Sequence, residues 1–327
     1  MLHLDEFQPA ALKGYIDNVP PARNYLLRNF LPTEDTDEID SAFNIINGKY
    51  GKAASITGWN AAAPLRDRKS LEKAFAEVSK VQHAQRLDEK QLLKYRKPRS
   101  DAEQQRALDY VYETTDELVQ GVDDIEEYMR AQAIYTGGMS YHDDLNDIHI
   151  EFQLDLPADN RISVVTPWAD AAANPLKDLQ AAVRQFQKEN QRRKPAVMHM
   201  TSATEALLLQ NEAIRVQIFG AQNGGQLLTS ANVQAVFSAL GLPAYQINDD
   251  VIELESGETQ LLADNKVVLI GNDLGKTYVG PTVENDYEPG KFVSTVIKTD
   301  PPEQKIIVGE AIYPAVNRPQ AIVIMSV

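Results

Sequence analysis

The sequence predicts an α+β fold, and three segments carry that prediction. Residues 101–136 hold a proline-free helical repeat. Residues 148–156 alternate apolar and polar side chains. From Tyr245 onward the chain is a series of short apolar runs separated by turn residues. A chain of 327 residues is expected to form about two domains, and a hydrophobic content of 43% is enough for a core.

The elements follow in chain order. Residues 1–38 are broken by Pro9, Pro20, Pro21 and Pro32, carry few periodic apolar residues, and predict an extended arm. Ala42–Ile46 and Ala53–Ile56 read as strand pieces around Asn47-Gly48 and Gly51, a turn signal. Residues 59–87 are rich in charge, with a short helical piece expected near Ser70–Val78. They are too polar for a core of their own and predict a long hairpin projecting from the body.

Over 101–136, Leu108, Val111, Thr115, Leu118, Val122, Ile125 and Met129 fall at alternating spacings of three and four, one narrow stripe on a helix. Ser100 is placed to cap it, Asp101 and Glu103 suit its first turn, and Gly137-Gly138 ends it. At about 1.5 Å per residue this helix would span about 54 Å, long for a domain helix. Its other faces are acidic. Ile148–Leu156 predicts a half-buried strand closed by Pro157 and Asp159-Asn160, with Ile162–Val165 expected to pair back onto it.

Asn174-Pro175 opens a helix expected to reach about Arg193, burying Leu176, Leu179, Val183 and Phe186, with Arg192-Arg193-Lys194 at its C-terminal end. Ala196–Met200 is a short strand. Ser202-Ala-Thr-Glu205 predicts a capping box for a third helix, and a fourth runs from about Ser230 to Leu240, ended by Gly241-Leu-Pro243. The strands after Tyr245 are Val251–Leu254, Val267–Ile270, Phe292–Ile297, Ile306–Val308 and Ala321–Met325, with Ser256-Gly257 as a hairpin turn.

Charge narrows the function classes. Lys plus Arg is 32 and Asp plus Glu is 47, a net charge of −15, which argues against a protein built mainly to grip nucleic acid or an anionic membrane. With no cysteine there are no disulfides, thiolate metal sites or cysteine nucleophiles. Met1–Pro9 lacks the pattern of a signal peptide, and no run approaches the ~18 apolar residues of a membrane span. The charge is uneven: residues 1–39 carry −4, residues 40–100 carry +7, residues 101–155 carry −13, and residues 156–327 carry −5. The adjacent basic and acidic blocks are either two solvated faces of one domain or surfaces that meet, within one chain or between copies.

Two motifs could carry chemistry. Gly271-Asn-Asp-Leu-Gly275-Lys276-Thr277 resembles a phosphate-binding loop, but it is one residue short and the following Tyr278-Val-Gly-Pro-Thr282 is not helical, so a turn between strands is expected. His142, Asp143, Asp144, Asp147, His149 and Glu151 could supply a divalent ion, yet strand alternation alone puts His149 and Glu151 on one polar face, and no metal is expected. His3, His83 and His199 have no motif around them, and neither a G-x-S-x-G nor a dinucleotide fingerprint occurs. No catalytic residue and no cofactor is expected. The residues favour a structural or assembly protein.

The order of parts is then informative, together with Ile45-Ile-Asn47-Gly48-Lys49-Tyr50, Asn60-Ala-Ala-Ala-Pro64-Leu-Arg66-Asp67-Arg68, Met129-Arg-Ala-Gln-Ala133 with Thr136-Gly137, Trp168-Ala-Asp170 with Asn174-Pro-Leu176, and Tyr313-Pro314-Ala-Val-Asn317-Arg-Pro319. Along the whole chain these resemble the major capsid protein E family of tailed double-stranded-DNA bacteriophages. The resemblance implies the HK97-like capsid fold: an N-terminal arm over 1–38, an E-loop over 39–95, a P-domain over 96–165 including a spine helix at 101–136, an A-domain over 166–285, and C-terminal P-domain strands over 286–327.

The resemblance implies a structural protein and not an enzyme, self-assembling into the icosahedral shell that encloses the DNA genome without sequence-specific binding. Its partners would be copies of itself as hexamers and pentamers, a separate scaffolding protein since no long helical segment precedes the arm, a portal, and optionally a decoration protein. It implies assembly in the host bacterial cytoplasm, location in the virion, and no membrane. The alternatives are an encapsulin-like nanocompartment shell and a soluble nucleotide-binding enzyme using Gly271–Thr277. In the capsid fold the E-loop lies across a neighbour near its spine helix, which would let the basic and acidic blocks meet between subunits. The contact candidates are Lys49, Lys52, Arg66, Arg68, Lys69, Lys73 and Lys80 on one side, and Asp116, Glu117, Asp123, Asp124, Glu126 and Glu127 on the other.

Overall fold

A computed structural model describes residues 9–38, 40–46, 71–77, 79–87, 101–143, 148–220, 226–254, 257–299 and 302–327. The elements in order are α1 (Pro9–Ile16), β1 (Thr33–Asp35), β2 (Asp40–Ile46), β3 (Leu71–Glu77), β4 (Ser79–Leu87), α2 (Asp101–Ala131), β5 (Gly138–Asp143), β6 (Ile148–Gln153), β7 (Arg161–Ser163), α3 (Pro175–Glu189), β8 (Val197–Met200), α4 (Ser202–Gln210), α5 (Glu212–Phe219), α6 (Ser230–Ala239), β9 (Tyr245–Ile247), β10 (Val251–Leu254), β11 (Gly257–Gln260), β12 (Lys266–Ile270), β13 (Gly275–Gly280), β14 (Phe292–Thr299), β15 (Pro302–Val316) and β16 (Ile322–Ser326). The chain divides into two compact units. One comprises Met1–Ala42, Phe75–Arg130 and Lys276–Ala315, the other Phe43–Ala74, Ala131–Gly275 and Val316–Val327.

In the first unit α2 buries Val111, Thr115, Leu118, Val122 and Met129 as the stripe predicts. Thr115 adapts to that apolar face by donating its hydroxyl to the Val111 carbonyl at 2.7 Å. The buried face is wider than the stripe, because Thr114, Val119 and Tyr128 are also inside. A single π-helical turn, Gln132–Thr136, extends α2, and Gly137 closes it in the left-handed conformation at φ 74. The core gathers Leu12, Ile16, Leu87, Val111, Leu118, Val119, Val122, Val293, Ile306 and Val308.

The arm is not extended throughout. Pro9 starts α1, whose Leu12 and Ile16 are buried, and Leu27 and Leu31 are fully inside. Proline at the first turn is pre-shaped for a helix, and two apolar residues four apart suffice to seat it. The expected helix near Ser70–Val78 is strand β3, which pairs with β2. An isolated helical stretch that short is marginal, whereas pairing satisfies its backbone. Ala53–Ile56 and the Asn47-Gly48 turn lie outside the described residues.

Strands run β1-β13-β15-β14, with β4 also on β15. β1 is parallel to β13, while β14 and β4 are antiparallel to β15. Residues 79–87 therefore belong to the first unit's sheet and not to a projecting hairpin. The 15-residue β15 is far longer than the expected Ile306–Val308. Gly309 marks its tightest point: a Cβ there would lie 2.4 Å from the Val81 carbonyl oxygen and 2.8 Å from Phe292 Cζ. Gly309→Ala should cost about 1–3 kcal/mol by forcing the strands apart. Urea unfolding midpoints check this, and an unchanged midpoint contradicts the close approach.

In the second unit the sheet order is β7-β16-β12-β8-β9. β12, whose Val267, Val268, Leu269 and Ile270 are fully buried, lies between β16 and β8, as a continuous apolar run requires. β7 pairs in parallel with β16, Ile324 opposite Arg161, so Ile162–Val165 does not fold back on 148–156; β5 pairs with β6 instead. β16 also separates from β14 and β15, so 286–327 is divided between the two units.

Asn174 caps α3 by accepting from the Lys177 amide, and Leu176, Leu179, Val183 and Phe186 are buried as predicted. α3 ends at Glu189, earlier than Arg193, because Gln191 and Arg192 turn left-handed at φ 51 and 64. The cap of α4 is Thr201, one residue before the predicted Ser202, and Glu205 accepts from the Tyr245 hydroxyl at 2.5 Å instead of closing a capping box. The sequence reading missed α5, whose cap Asn211 accepts from the Ile214 amide.

Candidate functional site: the acidic face of the long helix

Asp123, Glu126, Glu127 and Arg130 recur at i, i+3, i+4 and i+7 on α2, so one helix face holds three carboxylates and one guanidinium. All four are buried, Glu127 and Arg130 completely. Arg130 donates to Glu126, to Glu127 Oε2 at 3.3 Å, to the Leu31 carbonyl at 3.1 Å and to Thr277 Oγ1 at 3.0 Å. The planar five-donor fork lets one side chain serve all four acceptors.

The arm supplies the other partners. Arg28 donates to Glu126 Oε2 at 2.7 Å and to Asp123 Oδ1 at 3.1 Å, and the Leu27 amide donates to Glu127 Oε1 at 2.7 Å. Arg23 and the Tyr25 hydroxyl reach Asp124 at 2.7 and 2.9 Å. Both Arg23 and Arg28 place their guanidinium carbons 5.2 Å from the Tyr25 ring centroid. Lys291, next to β14, completes the set with 2.6 Å to Asp123.

Proton affinities follow this crowding. Burial raises the Glu127 carboxyl, partly offset by the Leu27 amide and Arg130. Burial first, then Asp124, holds the Tyr25 phenol above its ordinary value. Burial first, then the nearby Glu126, pushes Glu310 on β15 up to about 8, against the opposing pull of Lys291 and Arg130. Burial together with the Asp116 hydrogen bond brings Tyr15 to about 12. Buried charges of this kind are costly to desolvate and costly to leave unpartnered, so the arm and helix hold each other in register.

The sequence-derived contact candidates therefore separate. Asp123, Asp124, Glu126 and Glu127 have partners within the chain. Asp116 and Glu117 are exposed, Asp116 accepting from Tyr15 at 2.8 Å. Lys80 lies on β4, 2.5 Å from Glu284 and 5.2 Å from the Phe292 ring centroid. Lys73 lies in β3 with its side chain outside the description; Lys49, Lys52, Arg66, Arg68 and Lys69 lie outside the described residues altogether.

Sequence reasoning missed Arg23, Arg28, Arg130, Lys291 and Glu310. Two signals were available: basic residues in the arm five apart, and a lone carboxylate inside the apolar run Ile306–Val316.

The other motifs resolve differently. Lys276 pairs with Glu34, and Thr277 donates to the Leu31 carbonyl at 3.0 Å, while a strand and not a helix begins at Gly275, so the P-loop geometry is not formed. His142 stands opposite His149 in the β5–β6 register. Asp144 and Asp147, and the side chains of the other four residues of that set, lie outside the description. Among the described residues no group of three or more His, Asp or Glu is arranged to hold a metal ion, and no helix is long and apolar enough to cross a membrane.

In the second unit His199 sits against Tyr135. The Asn248 amide donates to the Tyr135 hydroxyl at 2.8 Å, and that hydroxyl shares a hydrogen bond with His199 Nδ1 at 2.7 Å. Burial brings His199 down to about 4, which keeps it neutral as a core residue.

The fold is similar to solved phage structures. A "putative capsid protein of prophage" from E. coli CFT073 aligns with a TM-score of 0.66 at 12% identity, covering 98% of this chain and 99% of that one. A phage-related protein from Bordetella bronchiseptica RB50 aligns with a TM-score of 0.57 at 11% identity, covering 97% and 96%. No curated protein matches the chain in sequence. The α+β fold expected from the residues, and the HK97-like form that the resemblance implies, thus hold. With residues 8–327 matching the family model for phage major capsid protein E, the chain belongs to that family of structural shell proteins.

Proposed function

We propose that copies of this chain build the closed icosahedral shell of a tailed bacteriophage, enclosing double-stranded DNA as a wall and not as a sequence-specific binder. The family match over residues 8–327 carries this reading. The partners are hexamers and pentamers of the chain itself, a separate scaffolding protein, a portal, and optionally a decoration protein. Assembly is in the host cytoplasm and the final location is the virion.

The pairing of β2 with β3 and the basic side chains Lys49, Lys52, Arg66, Arg68, Lys69 and Lys73 support reading the stretch before β4 as the part of the E-loop that lies on a neighbour's long helix. Its landing site is the exposed part of α2. Asp116 and Glu117 line a groove of about 530 Å³ together with Tyr15, Val19, Pro20 and Val119. An exposed ion pair is worth about 0–1 kcal/mol, so repetition around a lattice sets register and partner choice more than affinity.

Reversing Lys69 and Lys73 to Glu should abolish closed particles in electron micrographs while leaving the monomer folded. Adding Asp116→Lys and Glu117→Lys should restore them. Normal particles from the lysine reversals alone overturn the assignment.

A further inference from the structure

We propose that the second unit carries a phosphate-binding site between the end of α3 and the turn that follows β12. A cavity of about 90 Å³ there is bordered by Arg193, Lys194 and Arg318, with Asn190, Asn272 and Asp273. Three cations face one carboxylate. Arg318 is only 9% exposed and borders the cavity beside the Asn272 carbonyl at 3.4 Å and Asn190 Oδ1 at 3.5 Å. Asn190 is fixed in that orientation because its amide nitrogen donates to the Phe186 and Gln320 carbonyls at 2.9 Å each. Burial holds Arg318 below its ordinary value, and an anion in the cavity would offset that cost.

The backbone is shaped to bring the cations together. Gln191 and Arg192 are left-handed at φ 51 and 64, which turns the chain so that Arg193 and Lys194 border the cavity, and Asp273 on its other side is left-handed at φ 57. Lys194 is tied down by the Gly241 carbonyl at 3.0 Å. Gly271 closes the floor, where a Cβ would already be 3.0 Å from Phe186 Cζ and from the Ala321 Cβ. The first three residues of the motif that resembles a phosphate loop thus border a cationic cavity, with Arg318 in the role that Lys276 does not take.

A guanidinium fork and an ammonium suit a tetrahedral oxyanion with several acceptor oxygens. The cavity is too small for a nucleoside, so only the phosphate group enters. Its source is either free phosphate or a phosphodiester of nucleic acid.

The test uses the purified full chain, with thermal unfolding and phosphorus NMR in sodium phosphate against sodium chloride at matched ionic strength. Phosphate should raise the unfolding temperature by mass action and broaden its own resonance. Arg193→Gln with Lys194→Gln, both at exposed positions, should leave stability in chloride unchanged and weaken phosphate binding at least about ten-fold. A short DNA duplex that displaces phosphate identifies the phosphodiester as the source, and one that does not identifies the free anion; either outcome supports the site. Equal responses to phosphate and chloride, or unchanged phosphate affinity in the double variant, overturn it.

Discussion

Arg130→Met is expected to destabilise the chain by about 3–5 kcal/mol, because it removes one partner of a buried ionic network and leaves the others charged in the interior. Arg130 is fully buried and serves Glu126, Glu127, the Leu31 carbonyl and Thr277. Methionine nearly fills the volume, so the loss reports electrostatics and hydrogen bonding and not a cavity. Arg28 still faces Glu126, but Glu127 keeps only the Leu27 amide. The arm over residues 23–31 should therefore loosen before the rest unfolds, seen as faster proteolysis there. Urea unfolding of the unassembled protein gives the energy, and adding Glu127→Gln should recover part of it, since contacting residues are coupled. A loss below about 1 kcal/mol, the level of an exposed ion pair, refutes the network's role.

Stability is expected to fall as pH rises from about 6.5 to about 8, and to level off above that; between about 4.5 and 6.5 the loss at Glu310 is opposed by His199, which is neutral in the folded chain and takes up a proton on unfolding. Glu310 keeps its proton in the folded chain up to about 8, whereas an unfolded glutamate releases it near its ordinary value. At Glu310 the native state binds more protons than the unfolded state from about 4.5 to about 8, so this group favours unfolding as pH rises. The steepest slope from one group is about 1.4 kcal/mol per pH unit. The groups acting on Glu310 are Glu126, Asp123 and Arg130 from α2 and Lys291 from beside β14. With Glu310 neutral, Asp123, Glu126 and Glu127 are matched by Arg28, Arg130 and Lys291; ionising it adds an unmatched buried negative charge. Glu310→Gln should flatten the slope while keeping the fold. Equal slopes in both proteins, from denaturant midpoints across that range, would rule this out.

The helix and strand assignments that succeeded share one property. The α2 stripe, the Asn174-Pro175 start of α3 and the continuous apolar run of β12 are each set by neighbouring residues, so local order is enough to read them. The failures have the opposite character. Ser70–Val78 becomes strand β3 because β2 offers hydrogen bonds, and Ile162–Val165 leaves the preceding hairpin because β16 offers a parallel edge, although β16 is more than a hundred residues away.

Charge shows the same division. Residue order alone revealed an acidic helix, a basic hairpin and an arm, and their succession carried the family resemblance. Only the tertiary structure decided which carboxylates are already partnered: Asp123 takes Arg28 from 95 residues away and Lys291 from 168 residues away. A 3.6-residue period identifies which face of a helix is turned inward, but not which distant segments cover it. For apolar residues that omission changes little, since burial is non-directional. For a buried charge the identity and distance of the covering atoms set its energy. Five of the six acidic contact candidates on α2 therefore bond to the chain's own residues, four of them from buried or half-buried positions, while Asp116, which accepts from Tyr15, and Glu117 stay exposed.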